Sequence, residues 1–345
     1  MKFYNRVGHV EIVTEDGRVS REYSGLDFRF HVEKTYGGTK DTATVGILGL
    51  NQESISYLST FADMATVLSK RRRVRVYAGY EDEGESLIID GDMIEAIPSI
   101  PPSNWLTIRV VCNAYRNTEM MSMSMISEPK WNKRLQAQNQ KWGFRIDEIL
   151  DRFVKYAGLD GWRISDSDPD EHMRLYNLVY GMYLRSFDCT GTRDDIIREL
   201  NRIGDFAVAL DGRTLVVGPR PWLLNKGYPT LQQQVEYNSM GSRGQKKHMK
   251  IPVLDMEHGL VGIPQYKWPC CTMTTFLTCG IKIFDRVELK CRYNTEANGI
   301  YVVYGISYDG QLRGTPWYAK LHARADGVPL TDQEKAQMEQ KTKEK

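Results

Sequence analysis

Two distant stretches of this chain share one layout of basic, glycine and tryptophan signals, and that repetition constrains the fold more than any other feature. The first reads SKRRRVRVYAGY, then ESLIIDGDMIEAIPSIPPSNWLTIRVVC; the second reads FDRVELKCRY, then NGIYVVYGISYDGQLRGTPWYAKLHA. In each a basic residue leads an alternating run, Arg73-Val74-Arg75-Val76 in one and Arg286-Val287-Glu288-Leu289 in the other. A hydrophobic run broken by a glycine follows (Gly91, Gly305), then a polar turn, and a tryptophan (Trp105, Trp317) opens a last alternating run. Arg73 precedes Gly91 by 18 residues and Arg286 precedes Gly305 by 19, while the glycine-to-tryptophan spacings are 14 and 12. Alternation with period 2 sets one face of each strand against a core and leaves the other for solvent or a partner. The expectation is one small antiparallel β-domain made twice, around a different middle region.

A chain of 345 residues divides into two or three domains with ample core. With 41% hydrophobic and 26% charged residues its composition is that of an ordinary globular chain. A net charge of +2 excludes a generally polyanion-binding cation, so nucleic-acid binding would need a local patch. The start, MKFYNRVGHVEIV, lacks the apolar core of a secretory signal, and no apolar run approaches the ~18 residues of a membrane span. Six cysteines stand at 112, 189, 270, 271, 279 and 291, with no CxxC and no histidine at zinc-ligand spacing. Cys112, Cys279 and Cys291 fall in or beside strand patterns, as small buried hydrophobes do; the adjacent pair Cys270-Cys271 leaves a redox role open.

In chain order, residues 7–13 and 19–23 form a hairpin around Glu15-Asp16-Gly17. Residues 26–34 alternate with Phe28, Phe30 and Val32 on one face, and Gly37-Gly38 turns the chain into the strand ATVGILGL. Asn51 caps a helix whose stripe is Ile55, Leu58, Phe61 and Ala62, with Leu68 one register on. Met121, Met123 and Met125 alternate as a strand or crossing linker, and residues 130–142 read as a loop or a short exposed helix. Helices are expected from Ile146 to Ala157, stopped by Gly158, and from Thr192 to Ile203, with a Thr192–Asp195 capping box and closure at Gly204. FAVAL and TLVVGP pair across Asp211-Gly212 as a hairpin, residues 220–250 connect, and a second β-domain runs from about 251 to 325 before a charged tail.

Catalytic motifs fail. Asp166, Asp168 and Asp170 match calcium-loop positions, but Glu171 stands where glycine is needed and Asn177 where glutamate is, so the run reads as a solvated turn. The segment from Gly305 to Asp309 lacks the last glycine of a nucleophile elbow, and no P-loop, HExxH or dinucleotide fingerprint is present. His31 and His322 lie within alternating strands, as satisfied structural side chains do. No cofactor, metal site or catalysis is expected. Lys70-Arg71-Arg72-Arg73 is the strongest basic patch; a strand approach so charged also blocks edge-to-edge aggregation. The outward alternating positions Arg73, Arg75, Glu288 and Lys290, with Arg71 and Arg72 just outside, are candidate subunit-interface or lumen-facing residues.

Several pieces together resemble the baseplate (tail) hub proteins of tailed bacteriophages, the late-control protein D family. These are Ala78-Gly79-Tyr80 ahead of the strand bearing Ile89-Asp90-Gly91, the run from Gly259 to Pro264, Cys279-Gly280, the strand Val287-Glu288-Leu289, Asn298-Gly299-Ile300-Tyr301, and Asp309-Gly310 with Gly314 and Trp317. The likeness spans residues 25–325. It implies a mainly β chain with an α+β insert: two tube-type antiparallel β-barrel domains (1–116 and 251–326) flanking a helix-hairpin middle region (117–250), then a charged tail (327–345). It further implies a homotrimer whose six barrels form a pseudo-sixfold ring between a hexameric tail tube and a trimeric central spike. The implied partners are the tail tube or tube-initiator protein, the spike, baseplate wedge proteins and the tape-measure protein, with DNA passing through the lumen. The implied place is the virion tail baseplate, assembled in the host bacterial cytoplasm. The hub part of VgrG spike proteins of contractile injection systems is similar, and a tail-associated cell-wall hydrolase or a nucleic-acid-binding barrel are the competing classes. The resemblance leaves disulfide use among Cys270, Cys271, Cys279 and Cys291 open.

Overall fold

The computed structural model describes residues 5–14, 18–36, 41–59, 72–99, 104–112, 121–126, 143–165, 169–219, 251–277 and 280–326. The turns at 15–17 and 37–38, the helical stripe past Ser59, residues 130–142, Asp166 and Asp168, the 220–250 connector, Cys279 and the tail lie outside the described residues.

The first part contributes β1 (Arg6–Val13), β2 (Val19–Ser24), β3 (Phe28–Thr35), β4 (Thr42–Leu48), α1 (Gln52–Leu58), β5 (Arg73–Tyr80), β6 (Gly84–Pro98) and β7 (Trp105–Val111). The middle contributes β8 (Met121–Ile126), β9 (Phe144–Arg145), α2 (Ile146–Ala157), β10 (Gly161–Ile164), α3 (Pro169–Gly181), β11 (Tyr183–Leu184), β12 (Ser186–Gly191), α4 (Arg193–Ile203), β13 (Ala207–Asp211) and β14 (Thr214–Gly218). The last part contributes β15 (Val253–Leu254), β16 (Gln265–Lys267), β17 (Cys270–Phe276), β18 (Arg286–Leu289), β19 (Gly299–Gln311) and β20 (Trp317–Ala325).

The molecule is mainly β, as its alternating runs predict. Where the sequence predicts two separate small sheets, the first and last parts share one 13-stranded sheet, ordered β16-β17-β20-β19-β3-β4-β7-β6-β5-β1-β2, with β18 beside β19 and β15 beside β18. The described strands form an open path with ends at β16 and β2 and close no barrel. The join is β3 against β19, antiparallel, with Thr35 opposite Gly305 and Arg29 opposite Gln311. One continuous core runs beneath, from Val10, Phe28, Val45, Val76 and Ile108 in the first part to Met273, Val303, Trp317 and Leu321 in the last.

The repetition is real at the level of topology. The order β5-β6-β7-β4-β3 recurs as β18-β19-β20-β17-β16, and the antiparallel ladder carries a bulge at the same place in both units, between Met93 and Glu95 and between Val303 and Gly305. Counting from those bulges, Arg73 (opposite Asp92) corresponds to Arg286 (opposite Val302), and Arg109 corresponds to His322. Two equivalences that the sequence predicts are then corrected. Gly305 corresponds to Glu95, not to Gly91. Trp105, opposite Leu48, corresponds to Tyr318, opposite Phe276, so Trp317 falls one residue out of step. A one-residue step reverses the face of a strand. Accordingly Trp317 is buried in the core, edge-on to Phe30 at 5.7 Å, while Trp105 lies on the opposite, polar face under Arg29.

The middle region has its own core, built on Met123, Met125, Ile149, Phe153, Ile196, Leu200 and Phe206. α2 ends as expected at Gly158, whose φ of 61° is the left-handed cap conformation. The Thr192–Asp195 capping box forms, but Gly204 ends α4 with an extended backbone rather than a left-handed one. The methionine run is a strand paired with β12. α3 was not predicted, and the acidic run expected to be a solvated turn enters it at Pro169, a residue suited to a helix's first turn. There Glu171 is buried and ion-paired with the Arg174 guanidinium.

Candidate assembly surface

The sheet has one apolar and one polar side, and the polar side holds the charges that alternation sends outward. In β3, Phe28, Phe30 and Val32 point inward while Arg29, His31 and Glu33 point out. At the β3–β19 join His31 and Asp309 stand directly opposite, with Nδ1 to Oδ1 at 2.5 Å. Glu33 lies 3.3 Å from His31 Nε2, and Lys320 on β20 lies 3.3 Å from the other Asp309 oxygen. Partial burial pulls the His31 imidazole down, but its hydrogen bonds to Asp309 and Glu33 prevail and hold it above its usual value. Burial likewise pushes Asp309 up, and His31 and Lys320 outweigh it, leaving this carboxylate below its ordinary range. Farther along, the Arg29 guanidinium sits 4.6 Å from the Trp105 ring centre, a cation–π contact.

The residues singled out from sequence fall into separate groups. Arg71 lies outside the described residues. Arg72 turns toward α1, with its guanidinium 3.9 Å from the Tyr57 ring centre and a hydrogen bond donated to the Tyr57 carbonyl. Arg73 and Arg75 converge on Asp90, Arg73 Nε at 3.1 Å and Arg75 Nε at 3.2 Å, and Arg75 also reaches Glu11 at 3.5 Å. The Arg73 and Asp90 side chains are only 11% and 12% exposed, so this pair is held largely out of solvent. Glu288 and Lys290, on and just after β18, pair with each other at 3.1 Å.

Cys270 and Cys271 occupy successive positions of β17, so their side chains leave on opposite faces, and both are free thiols. Burial pushes the Cys271 thiol up to about 11, which disfavours its thiolate form. His322 lies within 3.3 Å of Thr272 and 3.4 Å of Ser307, a satisfied side chain. Among the described residues no three acidic, histidine or cysteine side chains gather as metal ligands, and no helix is long and apolar enough to cross a membrane.

One charged cluster escaped the sequence. Lys34 on β3 reaches Asp211 at 3.1 Å at the end of β13, and Arg163 reaches the same carboxylate at 3.4 Å. Burial lowers the Lys34 ammonium, but Asp211, Tyr308 and Asp41 overrule it and raise it. Burial pushes the nearby Asp41 up to about 7, only partly offset by Lys34. Beside it Phe284 packs against Tyr36 and against Gly218, where an added Cβ would come within 2.2 Å of the phenyl ring. These contacts seat the middle region on the sheet. Lys34 and Asp211 are 177 residues apart, and no spacing rule links them.

Residues 9–157 match the family model described as baseplate hub gp41. No curated protein matches the sequence. Among solved structures, the chain is similar to the tail protein from Neisseria meningitidis MC58 at 11% identity and a TM-score of 0.55, over 94% of this chain and 98% of that one. It is similar to the 43 kDa tail protein of prophage MuSo2 from Shewanella oneidensis at 10% identity and a TM-score of 0.50, over 92% of this chain and 96% of that one. At 8% identity and a TM-score of 0.47, over 93% of this chain and 77% of that one, stands a component of the Escherichia coli type VI secretion system. At such identities the likeness to the two tail proteins is one of fold.

Proposed function

We propose that this chain is a structural hub of a tailed-phage baseplate: a homotrimeric ring whose two similar β-units per chain stand in for six subunits. The ring would meet a sixfold tail tube on one side and a threefold spike on the other, with wedge proteins outside and a lumen passing tape measure and DNA. Each unit would supply one tube-type barrel wall, completed by its neighbours. A closed assembly of three duplicated chains presents six related surfaces, which resolves the mismatch between the two symmetries.

The observation that carries this reading is the strand order β5-β6-β7-β4-β3 recurring as β18-β19-β20-β17-β16, with matching bulges and an edge-to-edge join of the two units. A junction already made within the chain is the template for junctions between chains. The match of residues 9–157 to a baseplate hub family supports the same reading. In this role the surface charges position subunits and perform no chemistry. The test is native mass spectrometry with negative-stain electron microscopy. A species of three times the 39.7 kDa chain mass, forming rings with a central hole, is expected; a strict monomer at every concentration speaks against the proposal. Turnover in a peptidoglycan-degradation assay would overturn the non-catalytic part.

A further inference from the structure

The duplicated unit has one edge that the chain covers once and leaves uncovered once. In the first unit the edge strand is β3, and β19 lies alongside it from Gly305 to Gln311. The corresponding strand of the second unit is β16. Thr44 pairs with His31 in one unit, and its counterpart Thr272 pairs with Gln265 in the other. Among the described residues, β16 ends the sheet and pairs only with β17.

The chemistry of this edge is that of a surface made to be covered. Ile263 is 63% and Trp268 62% exposed, and Trp268 stands edge-on to Tyr266 with ring centres 6.4 Å apart. Exposed edge strands bearing large apolar side chains invite pairing, and proteins that leave them bare usually blunt them with charge. Here Lys267 is the single charge of β16. The covered edge is different: its outward side chains His31 and Glu33 are ion-paired at the join. At that join Tyr36 donates its N–H to Tyr304, and Leu312 donates to Phe28, so the even-numbered residues of β3 face β19. By correspondence the outward N–H groups of the second edge belong to Tyr266 and Trp268, and Pro264 between Ile263 and Gln265 has none to offer.

We propose that β16 is a subunit interface, covered by the first half of a second copy of this chain. A second copy is the occupant because the chain already covers the same edge of its first unit with a strand of its own other unit. The contact is heterologous, one half against the other half, and such contacts close into rings when the rotation between subunits allows. This inference rests on the hub reading and specifies the edge that reading requires.

The test compares the full-length chain with an Ile263→Asp/Trp268→Asp variant. The control is Met256→Asp/Tyr293→Asp, two residues of the same half that are 55% and 71% exposed and lie off the edge. Native mass spectrometry is expected to show a trimer for the unaltered chain and the control and a monomer for the edge variant, with unchanged circular dichroism. Hydrogen exchange on the unaltered chain provides a readout that needs no variant: the Tyr266 and Trp268 amides should be protected in the trimer and fast in the diluted monomer. A trimer that survives the edge substitutions, or one in which those two amides exchange freely, overturns the β16 interface and leaves the hub reading standing. An unaltered chain that never trimerises overturns both.

Discussion

His31 and Asp309 face each other across the join of the two halves, 2.5 Å apart, and each moves the other's titration. The fold favours protonated His31, so its contribution is complete below the free-imidazole value of 6.5 and fades as pH rises through the raised folded value. Asp309 contributes above the ordinary 3.8 and loses its contribution as pH falls through its lowered folded value. The pair is therefore strongest between about pH 4 and 6.5. The melting-temperature gap between the unaltered chain and Asp309→Asn should be widest near pH 5 and narrow as pH rises through the raised His31 value. Half-exposed pairs of this kind contribute below about 1 kcal/mol, so the gap is a few degrees at most. A proton NMR titration placing His31 at or below 6.5 would contradict the assignment.

Asp90 is the shared acceptor for Arg73 and Arg75. Asp90→Ala takes the carboxylate from the largely buried Arg73 and leaves Arg75 only its 3.5 Å contact with Glu11, and by the scale for breaking buried pairs should cost about 3 kcal/mol. Arg73→Ala leaves Asp90 still paired to Arg75 and should cost less. Urea denaturation of the two variants gives the ranking, and equal costs would refute the shared-acceptor account.

The one-residue displacement of the two tryptophans predicts unequal losses. Trp317→Ala empties a core site and should cost about 3–5 kcal/mol. Trp105→Ala forfeits mainly a cation–π contact with Arg29, worth about 0.5–1 kcal/mol. Equivalent positions in a true repeat would give similar losses; comparable destabilisation in chemical unfolding would restore the simpler alignment.

Asp41, raised to about 7, destabilises the folded chain once ionised. The sign is opposite to that of Asp309: stability falls as pH climbs from the ordinary carboxylate range to about 7 and stays low above it. Asp41→Asn should remove this slope, matching the unaltered chain near pH 4 and exceeding it above pH 7. A steeper pH dependence in the variant would show that the ionised carboxylate is needed to hold Lys34.

Much of the architecture was legible because its signals are local. Period-2 alternation marked β3, β4, β5 and β20, Asn51 marked the start of α1 by accepting from the Ser54 N–H, and Gly158 marked the end of α2. α3 was missed: its apolar side chains Leu175, Leu178 and Val179 gather late in an otherwise polar segment, behind three aspartates that look like a turn. The repeat was legible as a pattern and misaligned in detail, because the connections between corresponding strands differ in length: Arg73 and its partner Asp92 are 19 residues apart and Arg286 and Val302 are 16, while Glu95 and Arg109 are 14 apart and Gly305 and His322 are 17.

By itself the sequence determined which segments become strands, which face of each is apolar, and that one arrangement occurs twice, since propensity and periodicity act over a few residues. Tertiary structure alone decided that the two units merge into one sheet through β3 and β19, that Arg73 and Arg75 share one carboxylate, and that Lys34 finds Asp211. Those pairings join residues far apart in the chain. Their selection depends on which strand edge is left to be covered once the core has closed, a property of the packed molecule and of no segment within it.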